Sequence, residues 1–314
     1  MGQKKLVILI LVREFWRKFP KHKSLYDLLK PLQYFADVYY WHEDGHIQDI
    51  LNKFPKQPDF ILHYDNANRS ALAPIITGLE TVSIPKGCVV IDERTDQSLR
   101  QRYFIHNKID LIFSVTKAPF LKSFPQFKAQ FRWFPFSINS RVFKDWKLPK
   151  NISGLLMGHI DSKYPFRAKV LEEMRGVGGF KYHPHMSPVD KGIFDEQFSK
   201  ELNRSKIFFT CGSIYEYPVR KFFEALGSRT LLLAEYVPDI EELGFIDGIH
   251  YVVCTKDNFK EKYEYYLKHE EERKKIIDQG YQFVQCHHTS IHRAHKMVQD
   301  IKAFIQSKNK DNIN

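Results

Sequence analysis

The sequence predicts an α/β fold built as two successive parallel-sheet domains with a helical C-terminus. Short β-branched or apolar runs alternate with helical stretches, the alternation stops near 131–150 and restarts, and from Phe259 onward the pattern is almost wholly helical. Strands and helices alternating at intervals of about 20 to 30 residues form βαβ units on a parallel sheet.

The first element, Lys4 to Val12, is the continuous apolar run of a strand buried on both faces. A helix is expected over Ser24 to Phe35, with Leu25, Leu28, Leu29 and Leu32 on one side. Then come strand Asp37 to Trp41, helix Ile47 to Phe54, strand Asp59 to His63 and helix Ala67 to Thr77. Strand Cys88 to Ile91, helix Leu99 to Asn107 and strand Leu111 to Val115 follow, and Phe131 to Phe136 reads as a last strand. A linker through Trp146 to Lys150 places the boundary between domains 1–149 and 150–314. The second series runs from strand Ile152 to Met157, through helix Phe166 to Arg175 and strand Gly179 to Tyr182, to helix Ile193 to Asn203. It continues with strand Ile207 to Thr210, helix Val219 to Leu226, and strands Thr230 to Ala234 and Tyr251 to Cys254. Helices Phe259 to Lys268, Glu270 to Gln285 and Ile291 to Ser307 close it.

A chain of 314 residues suits two domains of about 150, each able to bury its own core. With 43% hydrophobic and 27% charged residues it falls outside the disordered and fibrous classes. The longest apolar run, Leu6 to Val12, is far below the roughly 20 residues of a membrane-spanning helix. No small-residue cleavage site follows it, and Leu6 stands where a myristoylation signal needs Ser or Thr. Cys88, Cys211, Cys254 and Cys286 are widely spaced, without the spacing of a metal site. A cytosolic protein with reduced thiols is expected.

The formal charge of +11 is uneven. Met1 to Pro149 holds 23 basic and 14 acidic residues; Lys150 to Asn314 holds 25 and 23. Arg94, Arg100, Arg102 and Lys108 fall along one expected helix, with no acid between Gln97 and Ile109. An anionic partner should meet the front half: a phosphate-containing glycan, a nucleic acid or a membrane face.

The most informative stretch is Gly212 to Gly227, which leaves the strand Ile207 to Thr210 and opens a helix with Pro218 at its start. Glu216 lies in the loop and Glu224 eight residues on, inside the helix, so one carboxylate is available to sugar hydroxyls and a second, deeper one to a ribose. Arg220, Lys221 and the helix N-terminus offer positive potential to a diphosphate, although both side chains cannot point the same way. Gly158, after the first strand of the second domain, permits close backbone approach, and Arg167 one helical turn in can neutralise phosphate. Tyr182 and His183 end a strand on the same rim. There is no GxGxxG and no Walker lysine.

Glu216 to Glu224 resembles the glutamate-x7-glutamate donor motif of GT-B glycosyltransferases. Leu226 to Leu233, Asp239 to Phe245 and the tail Tyr265-Tyr266-Leu267 through His288-Thr289 and Arg293 continue the likeness. With Met157-Gly158 and Tyr164-Pro165-Phe166-Arg167 they resemble the CgeB-like (spore-maturation) transferases, over about 150 to 305. The resemblance implies two Rossmann-like domains facing across a cleft, a nucleotide diphospho-sugar donor held by the second, and an acceptor held by the first. It further implies retention of configuration and a nucleobase stacked on Tyr182 or His183. With Arg167, Arg220 or Lys221 to stabilise the departing diphosphate and no DxD carboxylate cluster, no obligatory cofactor or metal is expected. Ser228-Arg229 departs from it where glycine is common, which is expected to put a bulkier side chain near the donor pocket.

In the front half Asp92-Glu93 follows a strand, as do His63 and Asp65. Strand-end acids facing a cleft suit a base for an acceptor hydroxyl, and equally an N-cap or a salt bridge. The reading is a metal-independent glycosyltransferase with Asp92, Glu93 and Glu216 as catalytic candidates. The donor-binding candidates are Gly158, Arg167, Tyr182, His183, Arg220, Lys221 and Glu224. Two alternatives are a nucleotide-sugar epimerase on the same fold and a non-catalytic nucleic-acid-binding module, the latter suggested by the aromatic-basic stretch Phe127 to Trp133.

Overall fold

The computed structural model describes residues 5–65, 72–185 and 192–311. It divides into two units: Met1–Pro135 with Ile291–Asn314, and Phe136–Ser290. The boundary therefore lies before, not after, the Trp146 to Lys150 segment expected as a linker. Leu148 N donates to Asn203 Oδ1 and Trp146 Nε1 to Ser199 Oγ, which ties that segment to the second unit.

Unit 1 opens with β1 (Val7–Leu11), wholly buried, as its continuous apolar sequence requires. Two short helices follow, α1 (Phe15–Lys18) and α2 (Lys23–Tyr26). The single helix expected from Ser24 to Phe35 is broken into α2 and a 3-10 turn at Lys30–Tyr34. Pro31 has no N–H for a continuing α-helical ladder. The four leucines are nonetheless buried, as their spacing predicted.

β2 (Asp37–Trp41) is the partly exposed edge strand, followed by the two-residue β3 (Gly45–His46) and α3 (Ile47–Leu51). Next come β4 (Phe60–Tyr64) and β5 (Ile76–Thr77). Of the helix expected over Ala67 to Thr77, residues 67–71 lie outside the described residues; the rest is not helical, and its end is β5, paired with β3. β6 (Lys86–Val90), α4 (Gln97–His106), β7 (Leu111–Ser114), α5 (Ala118–Ser123) and β8 (Phe131–Trp133) complete this part. The sheet order is β2-β1-β4-β6-β7-β8, with every pairing parallel.

Unit 2 contains β9 (Ile152–Gly158), α6 (Pro165–Met174), β10 (Phe180–Pro184), α7 (Asp195–Arg204) and β11 (Ser205–Thr210). They are followed by α8 (Arg220–Gly227), β12 (Leu231–Ala234), α9 (Asp239–Glu242) and β13 (Val252–Val253). The order β10-β9-β11-β12-β13 is again parallel throughout. α10 (Phe259–Lys268) and α11 (Glu270–His287) cover this sheet, and α10 supplies Phe259, Tyr263 and Tyr266 to a core built on Phe166, Phe209 and Leu233. The last helix, α12 (Ser290–Asp311), returns to unit 1. There Arg293 Nε donates to Pro135 O at 3.0 Å, and Lys308 meets Asp110 at 2.7 Å.

Candidate functional site

In each sheet the chain leaves the first strand towards one side and later returns to the other. In unit 2 this reversal lies between β9 and β11, and the C-terminal ends of strands at such a point form a natural ligand crevice. Four of the predicted donor residues, Gly158, Arg167, Tyr182 and Lys221, gather there.

β9 ends at Gly158, whose φ of +119° lies in the region that favours glycine. A Cβ at this position would lie 3.1 Å from Arg167 Nη1 and 3.6 Å from Lys221 Nζ, so both cations close on the bare backbone. Arg167 is 3% exposed. Its Nη2 donates to Thr210 Oγ1 at 3.2 Å and its guanidinium lies over the Tyr164 ring at 4.1 Å. Its buried Nε has no hydrogen-bond partner among the described residues, which is unusual for a buried donor. Tyr182 donates from its hydroxyl to Gly158 O at 3.2 Å, and burial raises its pKa. Tyr182 thus braces the Gly158 turn.

His183 does not join this group. Neighbouring strand residues face opposite sides of a sheet, and the ring of His183 lies 3.2 Å from Glu201 on α7.

The loop from β11 to α8 is fixed by close contacts. At Gly212 a Cβ would meet Val237 at 2.3 Å and Tyr217 O at 2.8 Å. Ile214 N donates to Lys163 O, joining the loop after β11 to the loop after β9. Ser213 and Glu216 both have left-handed φ, of 64° and 55°. Such non-glycine conformations cost energy and cluster at ligand sites. Glu216 is exposed, whereas Glu224 is buried and 3.6 Å from Arg220 Nε. The two predicted cations therefore diverge: Lys221 turns to Gly158 and Arg220 to Glu224. Pro218 stands just outside α8, where Val219 is the N-cap.

Sequence reasoning gave no role to Tyr164, Thr210 or Glu235. Tyr164 and Thr210 flank Arg167 across a loop and a strand, a relation visible only once the sheet is assembled. Glu235 follows β12; burial raises its carboxyl pKa, Lys256 pulls it back, and Glu216 raises it again.

The Ser228-Arg229 departure lies elsewhere than expected. Arg229 precedes β12, at the N-terminal ends of the strands, whereas Gly158 and Thr210 mark their C-terminal ends. Its side chain therefore does not crowd the Gly158 site.

In unit 1, Asp92 and Glu93 follow β6 on the C-terminal edge of that sheet, as expected. They part at once. The Asp92 carboxylate is half-exposed and accepts from Arg94 N and Arg94 Nε at 3.1 and 3.0 Å. Glu93 is 1% exposed, and its Oε2 accepts from Thr116 Oγ1 at 2.8 Å. Burial raises the Glu93 pKa, which Thr116 only partly offsets. Arg100, expected in a surface cationic cluster, is fully buried; its Nη2 donates to Asp65 Oδ1 and to Asp92 O, both at 2.9 Å. His63 is buried as well, between Tyr103 Oη and Pro74 O.

Residues 167–299 match the family model described as Glycosyl transferase-like. A search of curated protein sequences gives no match. Among solved structures, the chain is similar to a glycosyltransferase from Rickettsia africae ESF-5 at 11% identity, covering 96% of this chain and 99% of that one with a TM-score of 0.63. Sucrose-phosphate synthase from Thermosynechococcus elongatus gives 10% identity, 97% and 100% coverage and a TM-score of 0.65. Anabaena HepE in complex with UDP and glucose gives 11%, 95% and 100%, and 0.62.

The fold is GT-B.

Each Rossmann-like unit of this GT-B chain carries its polar candidates at the C-terminal edge of its own sheet. No group of three or more His, Cys, Asp or Glu among the described residues could hold a metal ion. No described helix is long and apolar enough to cross a membrane.

Proposed function

We propose that this protein is a glycosyltransferase that moves a sugar, a hexose or close relative, from a nucleotide diphospho-sugar to an acceptor hydroxyl with retention of configuration. The observation that carries this reading is the convergence of Arg167 and Lys221 on the bare backbone of Gly158, at the reversal point of the unit 2 sheet. Two cations and an approachable backbone suit a diphosphate. The family match over the same unit supports the reading, as do the UDP and UDP-glucose complexes of HepE, which has the same fold.

In this reading unit 2 binds the donor and unit 1 the acceptor. Lys221 and Arg167 stabilise the departing diphosphate, the role a divalent metal fills in other transferases, so transfer needs no added metal. Glu224, held by Arg220, takes the ribose, and Glu216 takes the sugar hydroxyls. Asp92, half-exposed and held by Arg94, is the carboxylate offered to an acceptor, with buried Glu93 next to it in the chain. The likeness to CgeB-type transferases, a cytoplasmic location and an anionic acceptor belong to the same proposal. The acceptor part rests on the basic front half, with Arg102 and Lys108 as the exposed cations of the α4 region.

The test is a thermal-shift series with UDP, GDP, ADP and UDP-glucose, followed by product analysis with and without acceptor. A ligand at 100 times its Kd adds about 2.7 kcal/mol of stability. No stabilisation by any nucleoside diphosphate would defeat the proposal. Conversion of the donor sugar without an acceptor would replace it with an epimerase.

A further inference from the structure

At the opposite, N-terminal edge of the unit 2 sheet lies a second polar concavity of about 500 Å³. It opens among the segment before β9, the α7–β11 junction, the turn before β12 and one face of α11. Such a volume is ordinary for a small-ligand pocket, but an apolar lining is more usual. Here the charged lining comprises six cations and three carboxylates.

Each carboxylate also orients a cation. Asp145 receives Lys147 at 2.8 Å and Arg229 at 3.4 Å, Asp278 receives Arg229 as well, and Glu270 receives Lys274 at 2.9 Å. Among the described residues Lys206 makes no ion pair, and Lys150 donates to the carbonyls of Ser205 and Arg229. Positive charge thus remains in excess. Arg229 also holds a left-handed φ of 55°, a conformation costly for a residue with a Cβ, while its guanidinium lies 5.3 Å from the Tyr281 ring. Backbone strain here coincides with a lining side chain held by Asp145, Asp278 and the Tyr281 ring.

We propose that this cavity is a binding site for a small phosphorylated polyol, separate from the Gly158 site. Lys206, Lys274 and Arg229 take the phosphate, and the flanking carboxylates accept from hydroxyls. Burial and the neighbouring Arg229 and Arg273 depress the Lys150 ammonium pKa to about 7, with Asp145 opposing them, so an entering dianion relieves a strain already present. The proposal does not depend on the donor reading. α8 joins the two sites, with Lys221 in its first turn and Arg229 just beyond its last.

Calorimetric titration of the full chain with ribose 5-phosphate, inorganic phosphate and ribose tests the assignment. Ribose 5-phosphate should bind at one site, more tightly than phosphate, with ribose giving no heat. A Lys206→Ala/Lys274→Ala variant should weaken binding at least tenfold, and Lys221→Ala should leave it unchanged within twofold. Absence of binding at millimolar ligand, or equal affinity for inorganic phosphate, would overturn the proposal. So would loss of binding in Lys221→Ala with retention in the double variant, which would put the ligand at the Gly158 site instead.

Discussion

Arg100 on α4 and Asp65 after β4 form an ion pair of 2.9 Å in which the guanidinium is fully buried and the carboxylate nearly so. The same guanidinium donates to Asp92 O, so one side chain holds together the segments that follow β4 and β6. A basic residue counted from sequence as surface charge is instead the internal brace of the unit 1 strand-end loops.

Removing one partner of a buried pair leaves the other charge uncompensated. Arg100→Ala should cost about 3–5 kcal/mol in chemical unfolding. Arg100→Met/Asp65→Leu together should recover a large part of that loss. An Arg100 variant as stable as wild type would mean the pair is dispensable.

Glu224→Gln keeps the size of a buried side chain but gives up its charge to Arg220 and to a ligand. Nucleotide affinity should fall about tenfold, in line with the roughly 1.5–3 kcal/mol of a charge-assisted hydrogen bond. Calorimetry with the nucleoside diphosphate that stabilises wild type measures it, with unchanged Kd as the failing result.

His63 provides the pH dependence. Pro74 O can only accept, so the ring donates from Nε2 and its Nδ1 accepts from Tyr103 Oη. Burial lowers the imidazole pKa to about 4, against about 6.5 unfolded. Between those values the unfolded chain binds a proton that the native one does not, so stability falls as pH drops through the window, by about 3 kcal/mol in all. Asp65 and Glu93, both raised by burial, act in the opposite direction. His63→Gln should remove the His63 contribution, so its stability relative to wild type should improve from pH 6.5 down to pH 4. A constant difference between the two proteins would refute it.

Glu93→Gln should stabilise the protein by about 1–3 kcal/mol at neutral pH, because a buried carboxylate with a raised pKa no longer has to ionise. That gain should vanish as pH falls below the unfolded carboxylate value. Paired unfolding curves at pH 4 and pH 8 decide it.

The surface-charge idea transfers to Arg102→Glu/Lys108→Glu. If the acceptor is anionic, acceptor KM in wild type should rise with salt as the Debye length shrinks from about 10 Å at 0.1 M to about 3 Å at 1 M. The variant should start high and respond less, and identical flat curves would end the idea.

Nearly every long strand and helix was legible in the sequence because its apolar residues repeat at one period. Asp37–Trp41 and Phe259–Lys268 agree with expectation to the residue. Pro31 and the short β3 and β5 defeated that logic, since a local breaker and a two-residue pairing leave no period to read. At the site, Gly158, Arg167 and Lys221 could be named from motif position, and they converge. The Glu201 contact of His183 could not be foreseen, because which face of β10 it takes depends on register with β9. Nor could Arg100, since charge alone does not reveal a buried partner 35 residues away.

The return of α12 to unit 1 sets an order on biosynthesis. Domains fold as units while the chain emerges at about 5–20 residues per second. Unit 2 is fully emerged once Ser290 has left the ribosome, yet the unit begun first still lacks the helix that buries Ala294, Met297, Val298 and Ile301. The first unit to be started is thus the last to be finished, and its nascent form waits with an uncovered apolar face. Residues 136–290 are accordingly the portion to express alone, whereas 1–135 by itself should be a chaperone client.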